Sequence, residues 1–168
     1  MFNFLKKKKP NDITLYSPAE GELISITEVP DEVFSTKLMG DGYAVKPLEG
    51  TIYSPIEGEI ASIFPTKHAV TIKNKSGVAV ILHMGVDTVS LKGIPFEIYV
   101  QEGQMVDQHT KIAKIDLNYL KEKGKPSDII VVLTNLADIS SLLNIKKRAM
   151  VSYSSIVGKI ESLNKNES

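Results

Sequence analysis

This sequence lacks several features that would indicate a particular class of protein. Its 168 residues include no cysteine, which excludes a disulfide framework and thiol catalysis. Lysine plus arginine and aspartate plus glutamate each number 20, so no net charge points to a nucleic-acid partner. No apolar run approaches the ~20 residues that span a bilayer, and residues 1–5 are too short for a signal-peptide core. These absences predict a soluble, cytoplasmic protein that does not bind nucleic acid.

A basic tail precedes the part of the chain that we expect to fold. Residues 1–5 are largely apolar, and four lysines follow at residues 6–9. This composition is typical of a disordered arm, or of a weak contact between residues 1–9 and an anionic membrane surface, worth about 1 kcal/mol per lysine. We therefore expect a flexible tail over residues 1–12 and a single domain over residues 13–164.

The domain contains an internal repeat. Residues 17–26 (SPAEGELISI) match residues 54–63 (SPIEGEIASI). In each copy a proline fixes an extended entry, a glycine relaxes the turn, and a strand follows. The repeat predicts two similar β-units around one core. The short spacing of the strands favours an all-β fold, an antiparallel sandwich or barrel, over any βαβ fold.

Two short helical segments are expected among the strands. One covers residues 117–123 and is closed by Gly124, and the other covers residues 137–143 on the surface. Between them, the apolar run over residues 127–133 predicts a buried strand.

A second apolar run, residues 77–82, ends at His83 and is followed by Gly85, Asp87 and Thr88. A histidine at the end of a buried strand, facing a polar turn, can be held in one orientation. A nucleophilic or metal-binding imidazole needs this. The alternative is a structural histidine that only satisfies its hydrogen bonds at the strand end.

A second histidine is expected beside the first. His68 precedes one predicted strand and His83 follows the next, with a hairpin turn of sequence NKSG at residues 74–77 near the midpoint. Residues that pair across a hairpin are neighbours, so both rings should converge on one patch. One ring could then attack a phosphoryl group while the other stabilises its charge. Both could instead bind zinc, with Asp87 as a third ligand.

The sequence around His83 resembles a known signature. Residues 80–89 (VILHMGVDTV) are similar to the active-site motif of the glucose-type IIA components of the bacterial phosphoenolpyruvate:sugar phosphotransferase system. Further blocks follow in family order, at residues 29–34 (VPDEVF), 40–47 (GDGYAVKP), 64–69 (FPTKHA) and 87–93 (DTVSLKG). The resemblance covers residues 14 to 157, and its several independent motifs make it specific. It implies an antiparallel β-sandwich with the repeat known as a duplicated hybrid motif.

The resemblance also implies a function and a site without metal or cofactor. His83 would accept a phosphoryl group from the phosphocarrier HPr and pass it to the IIB domain of a sugar permease during sugar uptake. His68 would be the second histidine, held by the hydroxyl of Thr66. The Gly85 carbonyl would fix the tautomer of His83, and Asp87 would lie beside the phosphate and meet a basic partner residue.

The resemblance further implies an apolar docking ring, whose members are Val33, Phe34, Leu38, Met39, Phe64, Ile81 and Val89. For each of them ordinary core packing is the alternative. Regulatory proteins that sense the phosphate at this face are compatible with the same reading. Two other functions remain: a zinc-dependent hydrolase of related β-architecture, although its His-x-His pair is missing, and a regulatory homologue that no longer relays phosphate.

Overall fold

Strands are the main regular secondary structure in the computed structural model, which describes residues 12–136 and 141–162. The strands are β1 (Ile13–Tyr16), β2 (Gly21–Ser25), β3 (Asp41–Pro47), β4 (Thr51–Tyr53), β5 (Gly58–Ile63), β6 (Ala69–Lys73), β7 (Ala79–Met84), β8 (Phe96–Ile98), β9 (Met105–Val106), β10 (Lys111–Ile115), β11 (Ile129–Leu133), β12 (Ser141–Ile145), β13 (Ala149–Val151) and β14 (Ile156–Ser162). The helices are α1 (Glu32–Ser35), α2 (Leu117–Glu122) and the 3₁₀ helices Ile26–Glu28 and Val89–Leu91. Within the described residues no helix is long and apolar enough to cross a membrane.

The strands form three sheets. The main sheet has the order β13-β2-β3-β11-β7-β6-β5-β9, and two three-stranded sheets have the orders β1-β14-β12 and β4-β10-β8. Every recorded pairing is antiparallel. The predicted antiparallel all-β fold is therefore confirmed.

The two copies of the repeat adopt the same local structure. The hydroxyl of Ser17 donates to the carbonyl of Ala19 at 2.7 Å, and that of Ser54 donates to the carbonyl of Ile56 at 2.6 Å. Both serines are fully buried. Each hydroxyl satisfies a carbonyl at a turn where no ladder partner is available, which explains a buried polar residue in both copies.

The copies also bind each other reciprocally. The amide of Tyr16 donates to the carbonyl of Pro55 at 2.9 Å, and the amide of Tyr53 donates to that of Pro18 at 2.8 Å. The main sheet has the matching symmetry, because β2 and β3 lie on one side of the central β11–β7 pair and β5 and β6 lie on the other.

Alternation along the central strands divides the apolar residues between two cores. On β11, Ile129, Val131 and Leu133 face the main core between the sheets, while Ile130 and Val132 face a smaller core on the opposite side of the main sheet. All five are essentially inaccessible to solvent. This burial on both faces explains why residues 127–133 read as a continuous apolar run.

The connection between β2 and β3 closes the smaller core. Residues 26–40 carry α1 and contribute Ile26, Val29 and Phe34 to this core, where they meet Ile24 and Val86. The equivalent connection in the second copy, residues 64–68, is much shorter. The first connection can therefore lie over the face of the main sheet, while the second only turns the chain.

Two sequence expectations about the connections have different outcomes. The helix expected at residues 117–123 is confirmed as α2, which Asp116 caps by accepting from the Tyr119 amide at 3.0 Å, and Gly124 ends it at a φ of 68°. The helix expected at residues 137–143 is wrong where it can be checked, because residues 141–143 begin β12 and pair with β14. Strand pairing there overrides local helix preference. Residues 137–140, residues 1–11 of the tail and residues 163–168 lie outside the described chain.

Candidate functional site

The site is built around His83, at the end of β7. Its Nδ1 lies 2.8 Å from the carbonyl oxygen of Gly85. Because a carbonyl can only accept a hydrogen bond, Nδ1 carries the proton of the neutral ring, and the lone pair is on Nε2. Within the described chain, Nε2 has no hydrogen-bond partner.

The backbone conformation at Gly85 leaves no space for a side chain. Its φ of 80° lies in the left-handed region, and a Cβ there would lie 2.6 Å from Cγ2 of Thr88 and 3.2 Å from the carbonyl oxygen of Pro126. The Thr88 hydroxyl donates to the carbonyl of Met84 at 2.7 Å. The tight turn therefore brings a carbonyl back onto the ring of the preceding histidine.

His68 lies on the neighbouring strand end. In the β6–β7 hairpin Ala69 pairs with His83, so His68 stands one residue beyond the ladder, where its carbonyl accepts from the Met84 amide at 2.7 Å. Its Nδ1 lies 2.7 Å from the hydroxyl of Thr66, and the residue is only 6% exposed. The hairpin thus brings the two histidines together, as the position of the turn predicts.

Four aromatic rings form a continuous row through the site. The ring centroids of His68 and His83 are 5.0 Å apart, at an interplanar angle of 76°. Phe34 flanks His83 at 4.9 Å, and Phe64 flanks His68 at 5.3 Å. The phenylalanines restrict both imidazoles to one orientation, since a rotated ring would lose these contacts.

Both imidazoles favour their neutral form. Burial lowers the pKa of His83, the nearby His68 lowers it further, and the Gly85 hydrogen bond and the charge of Asp31 offset part of the effect, leaving it at about 4. Burial also lowers the pKa of His68. At neutral pH the Nε2 atom of His83 is therefore unprotonated, which a nucleophilic imidazole requires.

Asp87 lies on the loop after Gly85, but its carboxylate is already engaged. Its Oδ2 lies 2.5 Å from Nζ of Lys125. The acidic residue whose charge acts on His83 is Asp31, whose carboxylate caps α1 by accepting from the amide of Val33 at 2.8 Å. Asp87 thus stands at the rim of the site, paired within the chain.

The residues expected in the docking ring differ in exposure. Leu38 is 78% exposed, Val89 50% and Val33 40%, whereas Phe34 is 5% exposed and packs into the smaller core. The other three members are half-buried: Met39, Phe64 and Ile81. The exposed members therefore belong to the β2–β3 connection and to the 3₁₀ helix after Asp87.

A zinc hydrolase is not supported by this arrangement. The part of the chain that the structure describes contains no group of three or more histidine, cysteine, aspartate or glutamate residues placed to hold a metal ion. Asp87, the third ligand considered from the sequence, forms an ion pair with Lys125 instead. Two histidines alone do not provide the protein ligands of a catalytic zinc site.

Sequence reasoning missed Asp31 and Lys125. Asp31 stands in one of the quoted blocks and directly precedes α1, so its type and position signal a helix cap but not proximity to His83. Lys125 stands just before β11, and only the pairing of β11 with β7 brings it beside the loop after His83. No local pattern in the sequence reveals that contact.

Comparisons with known proteins found a matching family and several similar chains. Residues 13–139 match the family described as phosphoenolpyruvate-dependent sugar phosphotransferase system, EIIA 1. The chain is 37% identical, over 142 residues, to the PTS system glucose-specific EIIA component of Oceanobacillus iheyensis, covering 84% of this chain and 86% of that protein. It also resembles the solved structure of glucose permease IIA from Mycoplasma capricolum, with a TM-score of 0.80, 34% identity and coverage of 95% and 99% of the two chains.

Other relatives are much longer. The chain is 42% identical, over 122 residues, to the PTS system glucose-specific EIICBA component of Staphylococcus carnosus, which covers 73% of this chain but 18% of that protein. A glucose-specific EIICBA component of Streptococcus pneumoniae is 40% identical, with 88% and 20% covered. The chain thus spans about a fifth of the length of these relatives.

Proposed function

Because the chain belongs to the EIIA 1 family of the phosphoenolpyruvate-dependent sugar phosphotransferase system, we propose that His83 carries a phosphoryl group between the phosphocarrier HPr and the IIB domain of a sugar permease. A phosphotransferase role follows from the family. The names of the relatives include glucose-specific and glucoside-specific systems, which favours a permease for a hexose or its glycoside. The observation that carries the assignment of His83 is its Nδ1 bond to Gly85, which leaves Nε2 as the open nucleophile.

The first step is acceptance. The Nε2 lone pair of His83 attacks phosphorus, a P–N bond forms there, and the P–N bond of the donor histidine breaks with its electron pair returning to the donor nitrogen. His83 then carries the positive charge of a phosphorylated imidazole whose Nδ1–H stays on the Gly85 carbonyl, so no proton has to move.

The second step is donation to the IIB domain. The P–N bond of His83 breaks, and the phosphoryl group bonds to a cysteine thiolate of the acceptor. In both steps charge spreads over the phosphoryl oxygens in the transition state. If the Thr66 hydroxyl donates to Nδ1 of His68, the Nε2–H of His68 is available to donate to one of those oxygens. His68 is thus the stabilising partner and not a second carrier.

The exposed apolar residues beside the histidines serve both partners. Donor and acceptor must each reach the same Nε2 atom, so they use one face in turn. The exposed members of the docking ring are Leu38, Val89 and Val33, each 40–78% exposed. They supply an apolar contact to either partner. Phe34 is buried and packs against the His83 ring, which limits the movement of that ring. Regulatory proteins could read the phosphate at this face through its added negative charge.

The assignment is tested by intact mass after incubation with phosphoenolpyruvate, enzyme I and HPr. We expect one phosphate on the wild-type chain, lost in acid and stable in base, and none on His83→Ala. Full labelling of His83→Ala would move the carrier to another residue, His68 first.

A second variant separates the two histidines. We expect His68→Gln to become phosphorylated but to donate poorly to a IIB domain, because losing one preorganised donor typically costs ~10²–10³ in rate. Single-turnover transfer from the phosphorylated variant measures this. An unchanged rate would make His68 a structural neighbour only.

A further inference from the structure

The loop after His83 is hydrogen-bonded to the segment that follows α2, residues 125–128. The amides of Gly85 and Val86 donate to the carbonyls of Asp128 and Pro126, at 2.9 Å and 3.0 Å. These two bonds extend the pairing of β7 with β11 beyond the regular ladder. The segment therefore fixes the backbone of the loop. The position of the Asp87 carboxylate depends on side-chain contacts.

Lys125 begins this segment, and its own backbone is fixed before it reaches the loop. Its amide donates to the carbonyl of Leu120 at 2.9 Å, and Leu120 is fully buried. Gly124 turns the chain out of α2 at a φ of 68°. The Cα of Lys125 is thus held at a fixed position, from which its ammonium reaches Asp87.

The ion pair between Lys125 and Asp87 is asymmetric. The lysine side chain is 22% exposed and the aspartate side chain 64% exposed. Oδ2 of Asp87 receives the ammonium, whereas Oδ1 has no hydrogen-bond partner among residues 12–136 and 141–162. The lysine therefore holds one oxygen of Asp87 and leaves the other open.

We propose that Lys125 is a positioning residue, which holds the Asp87 carboxylate in the orientation that receives a cationic group of the phosphocarrier beside His83. The inference rests on the proposed function, in which a donor docks at this face. An anchored carboxylate binds a guanidinium or ammonium without first losing its own rotational freedom. Lys125, whose side chain is mostly covered, can supply that anchor because it contacts Oδ2 and leaves Oδ1 open.

The alternative is that Lys125 competes with the partner's cation for the Asp87 carboxylate. If Lys125 occupied the place of the partner's cation, its removal would free Asp87 and strengthen docking. The two roles predict changes of opposite sign in the same measurement, which makes the choice between them decidable.

The test uses the full chain with phosphorylated HPr as donor, and measures KM and kcat for phosphoryl uptake. We expect Lys125→Met to raise KM about two- to fivefold, the range that a single ion pair supplies, with kcat unchanged. Lys125→Arg should restore KM, since it keeps the charge. Lys121→Met, which removes an exposed lysine of α2, is the matched control and should behave as wild type.

A double substitution separates positioning from a general effect on the fold. In an Asp87→Asn background, Lys125→Met should no longer change KM, because the carboxylate that it positions is gone. A lowered KM in the single variant, or a rise that persists with Asp87→Asn, would overturn the proposal. If the wild-type chain took up no phosphate at all, the proposed function would fail first, and this failure is distinct from either result.

Discussion

At the scale of single residues, His68 and His83 are neighbours because they flank one short hairpin. The turn at residues 74–77 fixes which residues of β6 and β7 pair, so the proximity of His68 and His83 follows from counting. The hydrogen bond from His83 to Gly85 depends on a left-handed glycine. It was expected from the resemblance to a known family and not from the residue pattern. The contacts of Asp31 and Lys125 were missed because they come from segments remote in sequence.

The protonation of His83 leads to a prediction about stability and pH. Its pKa is about 4 in the folded protein against an ordinary value of 6.5. Between pH 6.5 and pH 4 the unfolded chain therefore binds more protons than the folded one, so this residue's contribution to stability falls as pH falls through that window. The free energy of unfolding should drop by about 2 kcal/mol more in wild type than in His83→Gln between pH 7 and pH 5.

Urea unfolding across that pH range measures the difference. His109→Gln, which removes an exposed histidine, is the control for the loss of a histidine as such. Parallel profiles for wild type and His83→Gln would show that His83 titrates near its ordinary value in the folded protein.

At the scale of elements, local signals succeeded where a segment's ends carry caps and failed where pairing decides. Gly124 ends α2 and could be recognised in the sequence, while Asp116 caps its start. The pairing of residues 141–143 with β14 is a long-range contact that no local pattern reveals. The long β2–β3 connection could not be placed over the smaller core either, because its apolar residues do not indicate which face they cover.

The turn after β7 allows a test of what its glycine contributes. Gly85→Ala places a methyl 2.6 Å from Cγ2 of Thr88, at a φ of 80°, whereas Gly77→Ala has a φ of 94° with no atom within 4 Å. Both substitutions introduce the left-handed strain, about 1–2 kcal/mol, but only Gly85→Ala adds a clash. We expect Gly85→Ala to be the more destabilising in urea unfolding.

The clash can be relieved separately. Thr88→Ser removes Cγ2 and keeps the hydroxyl that donates to Met84, so it should recover part of the loss in Gly85→Ala and little in Gly77→Ala. ¹⁵N chemical shifts of His83 should show a smaller Nδ1–H population in Gly85→Ala alone. Equal costs for the two alanine variants would mean that the turn after β7 adapts without a clash.

At the scale of the whole molecule, the repeat was the most informative part of the sequence. It predicted two similar β-units, and the equivalent buried hydroxyls of Ser17 and Ser54 confirm that the copies fold alike. The division of the strands among three sheets was beyond prediction, because the register of remote strands depends on packing that a single sequence does not display.

The equivalence of the copies predicts equal energetic roles. Ser17→Ala and Ser54→Ala each leave a buried carbonyl without its hydroxyl donor, so each should lower the free energy of unfolding by about 1–3 kcal/mol. Urea unfolding should give values within about 0.5 kcal/mol of each other, and Ser76→Ala in the exposed hairpin turn should cost less than that. Clearly unequal costs would show that the copies have diverged energetically.

The reciprocal bonds between Tyr16 and Pro55 and between Tyr53 and Pro18 have a consequence for the history of the chain. In an isologous interface, residue i of one subunit contacts residue j of the other, and j contacts i. The two copies meet by this rule although they belong to one polypeptide. A half-length ancestor could have made both bonds with a single sequence, as a twofold homodimer. After fusion of two such genes, one connection lengthened over the sheet and the other stayed short, so the two copies kept their reciprocal contact within one polypeptide.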